Sequence, residues 1–204
     1  YTPTTLYVNS STGSDSNSGS SGSPFITFTK GYITARSGDT INLTGTFSWT
    51  DTAETGDVII TGYGIAKDLT IIGQGAQNTI IQATSTDNTA DRRVFTVPNS
   101  TTTVTLQDLT LRNGKIGSYD GGCFNSLAST TLQKVEMYNC RSTGGYGGAV
   151  YNGGYINVNN SSFYSNTVHY GGGGLASNNT ATNTIITNST FYSNSVTSSG
   201  GAFY

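Results

Sequence analysis

Acid–base chemistry in this chain is limited by where its ionisable side chains occur. From Ser142 to Tyr204 there is no Asp, Glu, Lys or Arg, and His169 is the only titratable side chain there apart from the tyrosines. Glycoside hydrolases need two carboxylates around one glycosidic bond, and a calcium site needs acidic side chains gathered on one face. The final 63 residues therefore exclude carboxylate chemistry. We predict no catalytic residue, no metal site and no cofactor.

Most of the charged residues that could do chemistry lie between Asp87 and Arg141. The segment Asp91–Arg93 could line a groove, but a solvated loop is the preferred interpretation. Asp120 could bind a cation with neighbouring carbonyl groups, although an aspartate that forms a turn is commoner. Asp108 and Lys134 fall at equivalent repeat positions, so we expect an ion pair between neighbouring turns.

Tyrosines offer a second kind of chemistry, because exposed rings beside hydroxyl and amide groups can bind sugar rings or a partner protein. The tyrosines of one set each follow a predicted inward residue and so point outward. Arg112 takes the same place one repeat earlier and can stack on Tyr138. Mutual stacking of the tyrosines is the preferred interpretation over a dedicated binding site. The candidate contacts are Tyr138, Tyr164 and Tyr192, a second set of Tyr119, Tyr146 and Tyr170 before glycine-rich bends, and Arg112.

An internal repeat must position these side chains. Leu111, Met137 and Phe163 are 26 residues apart, and Phe191 follows after 28. The four clearest copies span residues 104–114, 130–140, 156–166 and 184–194. The predicted inward core of the repeat is Leu109, Leu111, Val135, Met137, Phe163 and Phe191.

The earlier copies of the repeat are more degenerate. Ile41 aligns with Leu69 after 28 residues, and Leu69 aligns with Leu109 after 40, with the extra residues placed in Ser85–Arg93. Asparagine tolerates a left-handed backbone. The predicted corner residues are Asn113, Asn139, Asn166 and Asn194.

The repeat length and its short apolar–polar alternation predict the fold. Helical repeats need a 3.6-residue apolar period, and a propeller blade needs about 40 residues. A 26-residue period suits one turn of a β-helix with short strands and tight bends. We predict an all-β, single-stranded right-handed parallel β-helix (solenoid) of about six rungs with an N-terminal cap. The cap is expected over residues 1–36 and the β-helix over 37–204, continuing beyond 204 in the native protein.

Composition excludes two classes of function. Charged residues make up 10% of the chain and the net charge is −2, so there is no basic excess with which to bind nucleic acid. No apolar run reaches the roughly 18 residues of a transmembrane segment. Cys123 and Cys140 allow a disulfide, but we expect two buried thiols.

Two paired motifs resemble a known surface repeat. Gly147-Gly148-Ala149-Val150 with Phe163-Tyr164-Ser165-Asn166 recurs as Gly200-Gly201-Ala202-Phe203 with Phe191-Tyr192-Ser193-Asn194. These motifs resemble the GGA[I/V/L/F] and FxxN repeats of chlamydial polymorphic outer-membrane proteins and related secreted bacterial β-helices. The turn with Gly121-Gly122-Cys123-Phe124 and Met137–Cys140 departs from the pattern.

The resemblance implies a secreted or cell-surface location with outer-membrane association. Our leading hypothesis is a non-catalytic passenger or adhesin segment, with glycans or host or neighbouring-cell surface proteins as partners. The resemblance also implies that the segment is cargo of an outer-membrane secretion machinery. The alternatives are a carbohydrate-active β-helix of the polysaccharide lyase or glycoside hydrolase kind and a glycan-binding module.

Overall fold

The computed structural model describes residues 1–54, 58–59, 61–178, 183–198 and 200–204. Within these ranges one helix, α1 (Phe28–Thr34), precedes most of the strands. In chain order the strands are β1 (Thr5–Asn9), β2 (Thr40–Ser48), β3 (Val58–Ile59), β4 (Gly62–Gly64), β5 (Leu69–Ile72), β6 (Thr79–Gln82), β7 (Phe95–Val97), β8 (Thr103–Arg112), β9 (Lys115–Ile116), β10 (Phe124–Ser126), β11 (Ser129–Tyr138), β12 (Arg141–Ser142), β13 (Val150–Asn152), β14 (Tyr155–Asn159), β15 (Ser162–Tyr164), β16 (Thr167–Val168), β17 (Leu175–Ser177), β18 (Asn183–Thr187), β19 (Thr190–Tyr192) and β20 (Ser195–Val196).

The strands form three sheets that run along the stack of turns. The first sheet has the order β1-β2-β5-β8-β11-β14-β18, with β6, β15 and β19 on the same turns. The second has the order β17-β13-β10-β7-β4-β3, and the third β20-β16-β12-β9. Among the described residues the strands pair in parallel, except β3 with β4. The predicted parallel β-helix is confirmed, with about five complete turns where about six rungs were predicted.

Inward side chains stack in register along the axis. In the first sheet Met137 pairs with Leu111 on one side and with Phe163 on the other. The rings of Phe163 and Phe191 lie 4.7 Å apart and nearly parallel. Of the predicted core, Leu109, Leu111, Val135, Met137 and Phe163 are fully buried, and Phe191 is half-buried against the same core.

The register of the early turns differs from the sequence alignment. Ile41 pairs with Ile71, and Ile71 pairs with Leu106, so these turns take 30 and 35 residues. The predicted alignments of Ile41 with Leu69 and of Leu69 with Leu109 are therefore wrong. β5 pairs with the first half of β8, and β6 pairs with its second half. Much of the added length therefore lies in the loop between β5 and β6, and not in Ser85–Arg93 as predicted.

Columns of left-handed residues mark the corners of the turns. Asn113, Asn139, Ser165 and Ser193 have φ between 53° and 59°. Glycines form another corner, with positive φ at Gly121, Gly147, Gly172 and Gly200. The prediction that Asn166 and Asn194 are left-handed is wrong, since each follows the left-handed residue.

Asn166 instead forms part of an inward amide ladder. Its Oδ1 accepts from the Cys140 backbone N at 3.0 Å, and its Nδ2 donates to Met137 O at 3.0 Å and to Asn194 Oδ1 at 2.9 Å. The Asn194 Nδ2 in turn donates to Phe163 O at 2.8 Å. These side chains satisfy buried backbone groups at the corner.

Cys123 and Cys140 form a disulfide, so the expectation of two buried thiols is wrong. Their Cα atoms lie 5.3 Å apart, and both residues are buried. Cys123 precedes β10, and Cys140 follows β11 in the same turn. The start and the end of this stretch of the turn therefore lie next to each other. Their proximity depends on how the corners bend, which sequence spacing does not reveal.

The N-terminal segment packs on the first turn through β1 and α1. β1 pairs in parallel with β2, so it covers the edge of that turn. Thr27 caps α1, and Phe28 is fully buried against Trp49, Tyr63 and Phe95. In the part of the chain that the structure describes, no helix has the length and apolarity of a membrane span.

Candidate binding surface

The acidic side chains mostly hold local structure. Glu54 reaches the start of α1, where its carboxylate accepts from the backbone N of Phe28 at 2.6 Å and of Thr29 at 2.9 Å. Burial raises the pKa of Glu54 although these hydrogen bonds oppose the shift. Asp120 Oδ1 accepts from Tyr146 N at 2.7 Å on the next turn. Asp120 therefore ties two bends together.

Asp39 is the most heavily engaged of these carboxylates. It accepts from the hydroxyl of Tyr1, from the backbone N of Thr4 at 2.7 Å, and from the backbone N of Arg36 at 2.8 Å. Burial by itself would raise its pKa, but hydrogen bonds led by that from Tyr1 outweigh it and lower the pKa to about 2. Asp39 thus fastens the first residues to the start of β2.

Nine of the eleven acidic side chains accept a hydrogen bond or form an ion pair with another residue of the chain. Asp57 lies outside the described residues, and Asp87 is exposed. Within the described ranges, no group of three or more His, Cys, Asp or Glu side chains is placed to hold a metal ion. The nine are Asp15, Asp39, Asp51, Glu54, Asp68, Asp91, Asp108, Asp120 and Glu136.

Arg93 is buried, so its predicted place in a solvated loop is wrong. Its Nε donates to Gly121 O at 3.1 Å and its Nη2 to Asp120 O at 2.7 Å. Burial lowers the pKa of Arg93 to about 10. Asp91 and Arg92 do form a surface ion pair, with Oδ1 and Nε 2.8 Å apart. The predicted pair of Asp108 and Lys134 is present at 4.0 Å.

The first tyrosine set forms a continuous outward ladder. The ring centroids of Tyr138 and Tyr164 lie 4.8 Å apart and those of Tyr164 and Tyr192 lie 4.9 Å apart, with the planes within 13°. Burial raises the pKa of Tyr164, with Glu136 adding to the effect, and the Tyr164 hydroxyl lies 3.3 Å from Glu136 Oε2. Neighbouring rings cover both flat faces of Tyr164, whereas Tyr192 at the end of the ladder stacks through one face and is 50% exposed.

Arg112 joins the end of this ladder. Its Nη1 donates to the Tyr138 hydroxyl at 2.9 Å, and its guanidinium carbon lies 5.9 Å from the Tyr138 ring centroid. Its Nε donates to Gln82 Oε1 at 2.8 Å. The guanidinium therefore mainly bridges two turns through hydrogen bonds.

The second tyrosine set is only partly brought together. Tyr146 lies 5.3 Å from Tyr170 and 5.4 Å from Tyr204, between ring centroids. Tyr119 is 57% exposed. A cleft of about 400 Å³ adjoins this set and is lined by Tyr146, Tyr151, Ala176, Ser177, Asn178 and Tyr204.

Our sequence analysis missed the outward face of the third sheet. Lys115 and Arg141 are register partners on β9 and β12, and Thr167 pairs with Arg141 on the next turn. The available signal was their 26-residue separation, which equals the repeat. We define the third-sheet face as the outward side chains Lys115, Arg141, Thr167, Ser195, Thr143, His169 and Thr197.

Comparison with known proteins gives a likeness of fold. No protein-family model and no curated protein sequence matches the chain. The solved structure of a rhamnogalacturonan lyase is similar over 97% of this chain, with a TM-score of 0.54 and 14% identity. The matched region is 62% of that lyase's length. At this identity the likeness shows a shared β-helix fold and carries no activity to this chain.

Proposed function

We propose that this chain is a non-catalytic segment of a secreted or cell-surface β-helix, of the passenger or adhesin type, which presents its faces to glycans or surface proteins. One observation carries the proposal: six of the eleven acidic side chains accept hydrogen bonds from backbone N–H groups at caps, bends and neighbouring turns. A glycosidase or calcium-dependent lyase needs carboxylates that face its substrate or metal. Residues from Ser142 onward contribute none.

The disulfide supports the proposed location. Disulfides persist in oxidising compartments outside the reducing cytosol, and Cys123–Cys140 lies within one turn. The GGA and FxxN motifs support membership of the chlamydial type of surface repeat. Association with the outer membrane and with its secretion machinery forms part of the same proposal.

An activity screen tests the non-catalytic role. The purified chain is incubated with a panel of neutral and acidic polysaccharides, with and without calcium, and new reducing ends and unsaturated uronates are measured. We expect no product above the enzyme-free control, and a known polysaccharide lyase confirms that the assay responds. Calcium-dependent turnover that is lost in Asp120→Asn or Asp91→Asn, but kept in Asp108→Asn, would overturn the proposal.

A carbohydrate-active β-helix is the second candidate. It is favoured by the likeness to the rhamnogalacturonan lyase, which extends over nearly all of this chain. The same screen separates the two, since this candidate requires product from at least one acidic polysaccharide.

A further inference from the structure

The third-sheet face places two like charges side by side. Lys115 and Arg141 are register partners on adjacent parallel strands, and the residues that follow them, Ile116 and Ser142, are buried. Both cations therefore point outward from strands about 5 Å apart. Like charges at this spacing destabilise a sheet. An anion bound beside them would relieve the repulsion.

The two cations have no acidic partner among the described residues. The ion pairs of that part of the chain are Asp91 with Arg92 and Asp108 with Lys134. Lys115 Nζ donates to the backbone O of Asn88 at 3.1 Å, which leaves its charge uncompensated. Arg141 is half-buried at the edge of a cleft. A guanidinium in this setting suits carboxylate or sulfate oxygens, which it can bind through two parallel hydrogen bonds.

The cleft beside Arg141 is small, and Val168 adds an apolar patch to its hydroxyl-bearing walls. It has a volume of about 120 Å³, and Thr143, Thr167, His169 and Thr197 contribute to its walls. His169 Nδ1 and Thr197 Oγ1 lie 2.8 Å apart, which fixes the imidazole against the wall. This space suits one charged group with its nearest hydroxyls, so the rest of a larger ligand would lie along the open face.

The surroundings of the cleft favour a sugar over a peptide. The outward side chains of the third-sheet face are hydroxyls, two cations and one imidazole, and Val168 adds apolar surface within the cleft. Tyr170 packs its ring 4.5 Å from His169 and is 42% exposed, which provides an aromatic surface beside the polar cleft. A sugar ring matches both surfaces, since its hydroxyl groups can hydrogen-bond in the cleft while its apolar face packs on the tyrosine ring.

We propose that the third-sheet face binds the carboxylate or sulfate groups of an acidic polysaccharide, with Arg141 as the main contact and Lys115 one turn away. This inference rests on the proposed role as a surface-binding segment and names its ligand class. The net charge of the chain is −2, so overall electrostatic attraction does not account for such binding.

Binding to immobilised polymers tests the inference. The probes are polygalacturonate for carboxylates, dextran sulfate for sulfates, and dextran as the neutral match. We expect binding to at least one acidic polymer, weakened by salt, and none to dextran. Arg141→Gln should weaken binding at least about tenfold, since it removes charge-assisted hydrogen bonds. Lys115→Gln should weaken it less.

Lys134→Gln is the matched control, because it removes one positive charge from a different face. It should change the affinity less than about twofold, since exposed charge pairs are weak. Equal losses in Arg141→Gln and Lys134→Gln would overturn the inference, as would binding to dextran or to no polymer. A phosphoserine peptide is tested in parallel. If it binds in an Arg141-dependent way and no polysaccharide binds, the ligand of this face is a phosphopeptide and the polysaccharide inference is overturned. Turnover in the activity screen contradicts the proposed function alone, so the two failures are distinguishable.

Discussion

The early turns and the late turns of this β-helix are stabilised in different ways. The early turns take 30 and 35 residues, surround an aromatic cluster and are fastened by Asp39 and Glu54. The turns after Ser142 take 25 to 28 residues and contain no Asp, Glu, Lys or Arg. There Asn166 and Phe163 each stack on an equivalent residue of the next turn. Regular turns bring identical groups into register, so that these groups can stack. Irregular turns are instead held by hydrogen bonds of individual side chains such as Asp39 and Glu54.

Removing a core ring from the late turns should have the largest effect. Phe163→Ala is expected to lower the free energy of unfolding by about 3–5 kcal/mol, because the side chain is fully buried and stacked. Urea unfolding measures the loss. Solenoid turns contact mainly their neighbours, so hydrogen exchange should quicken around β14 to β19 before it does in β2. Phe203→Ala, at a half-exposed site, is the control, and an unchanged unfolding curve in Phe163→Ala would refute the register.

Loss of the disulfide should have the next largest effect. The Cys123→Ala/Cys140→Ala double variant is expected to lose about 3 kcal/mol, as the bond closes a loop between residues 17 apart. Thermal unfolding with and without reductant measures this loss. Reductant should destabilise the wild type and leave the double variant unchanged. Equal stability of the two proteins without reductant would contradict the contribution assigned to the bond.

The amide ladder should contribute less than the core ring or the disulfide. Asn166→Ala leaves Cys140 N and Met137 O without their side-chain partner and is expected to cost about 2 kcal/mol. Asn157→Ala, on a partly exposed strand position, serves as the matched variant and should cost less than about 0.5 kcal/mol. If both variants unfold at the same urea concentration, the ladder does not stabilise the late turns.

Acidification should destabilise the early turns, and we expect this loss of stability to be the smallest of the four effects described here. The pKa of Asp39 falls from 3.8 to about 2 on folding. Its ionised form therefore adds stability above about pH 4, and this stability is lost as the pH falls towards about 2. Melting temperatures across that range should drop more in the wild type than in Asp39→Asn. Identical acid profiles would show that Asp39 does not fasten the N-terminal segment.

Sequence periodicity predicted the late turns well because their spacing is nearly constant. Met137 could be placed between Leu111 and Phe163 from separation alone. The early turns contain loops of variable length. The alternation of apolar residues therefore aligned Leu69 with Leu109, whereas Leu69 pairs with Val104. The disulfide and the left-handed Ser165 depend on corner geometry. Arg93 shows the same limit, because its burial depends on a bend almost 30 residues later.

Among the candidate contacts, sequence alternation placed Tyr138 and Tyr164 on one outward stripe, and the rings do stack. Sequence alternation did not reveal that this stacking covers flat faces of the two rings and so removes them from contact with a ligand. The third-sheet face was missed because Lys115 and Arg141 lie outside the apolar pattern on which the repeats were aligned.

A combined binding and cleavage measurement separates a binding surface from a lyase in one sample. Polygalacturonate is titrated with the intact protein, and the recovered polymer is analysed for chain length and unsaturated ends. We predict that polygalacturonate, or dextran sulfate in a parallel titration, binds saturably and less tightly to Arg141→Gln, and that the polygalacturonate is recovered at its original length. Shortened chains with new unsaturated ends would show a lyase and contradict the account of a non-catalytic binding surface.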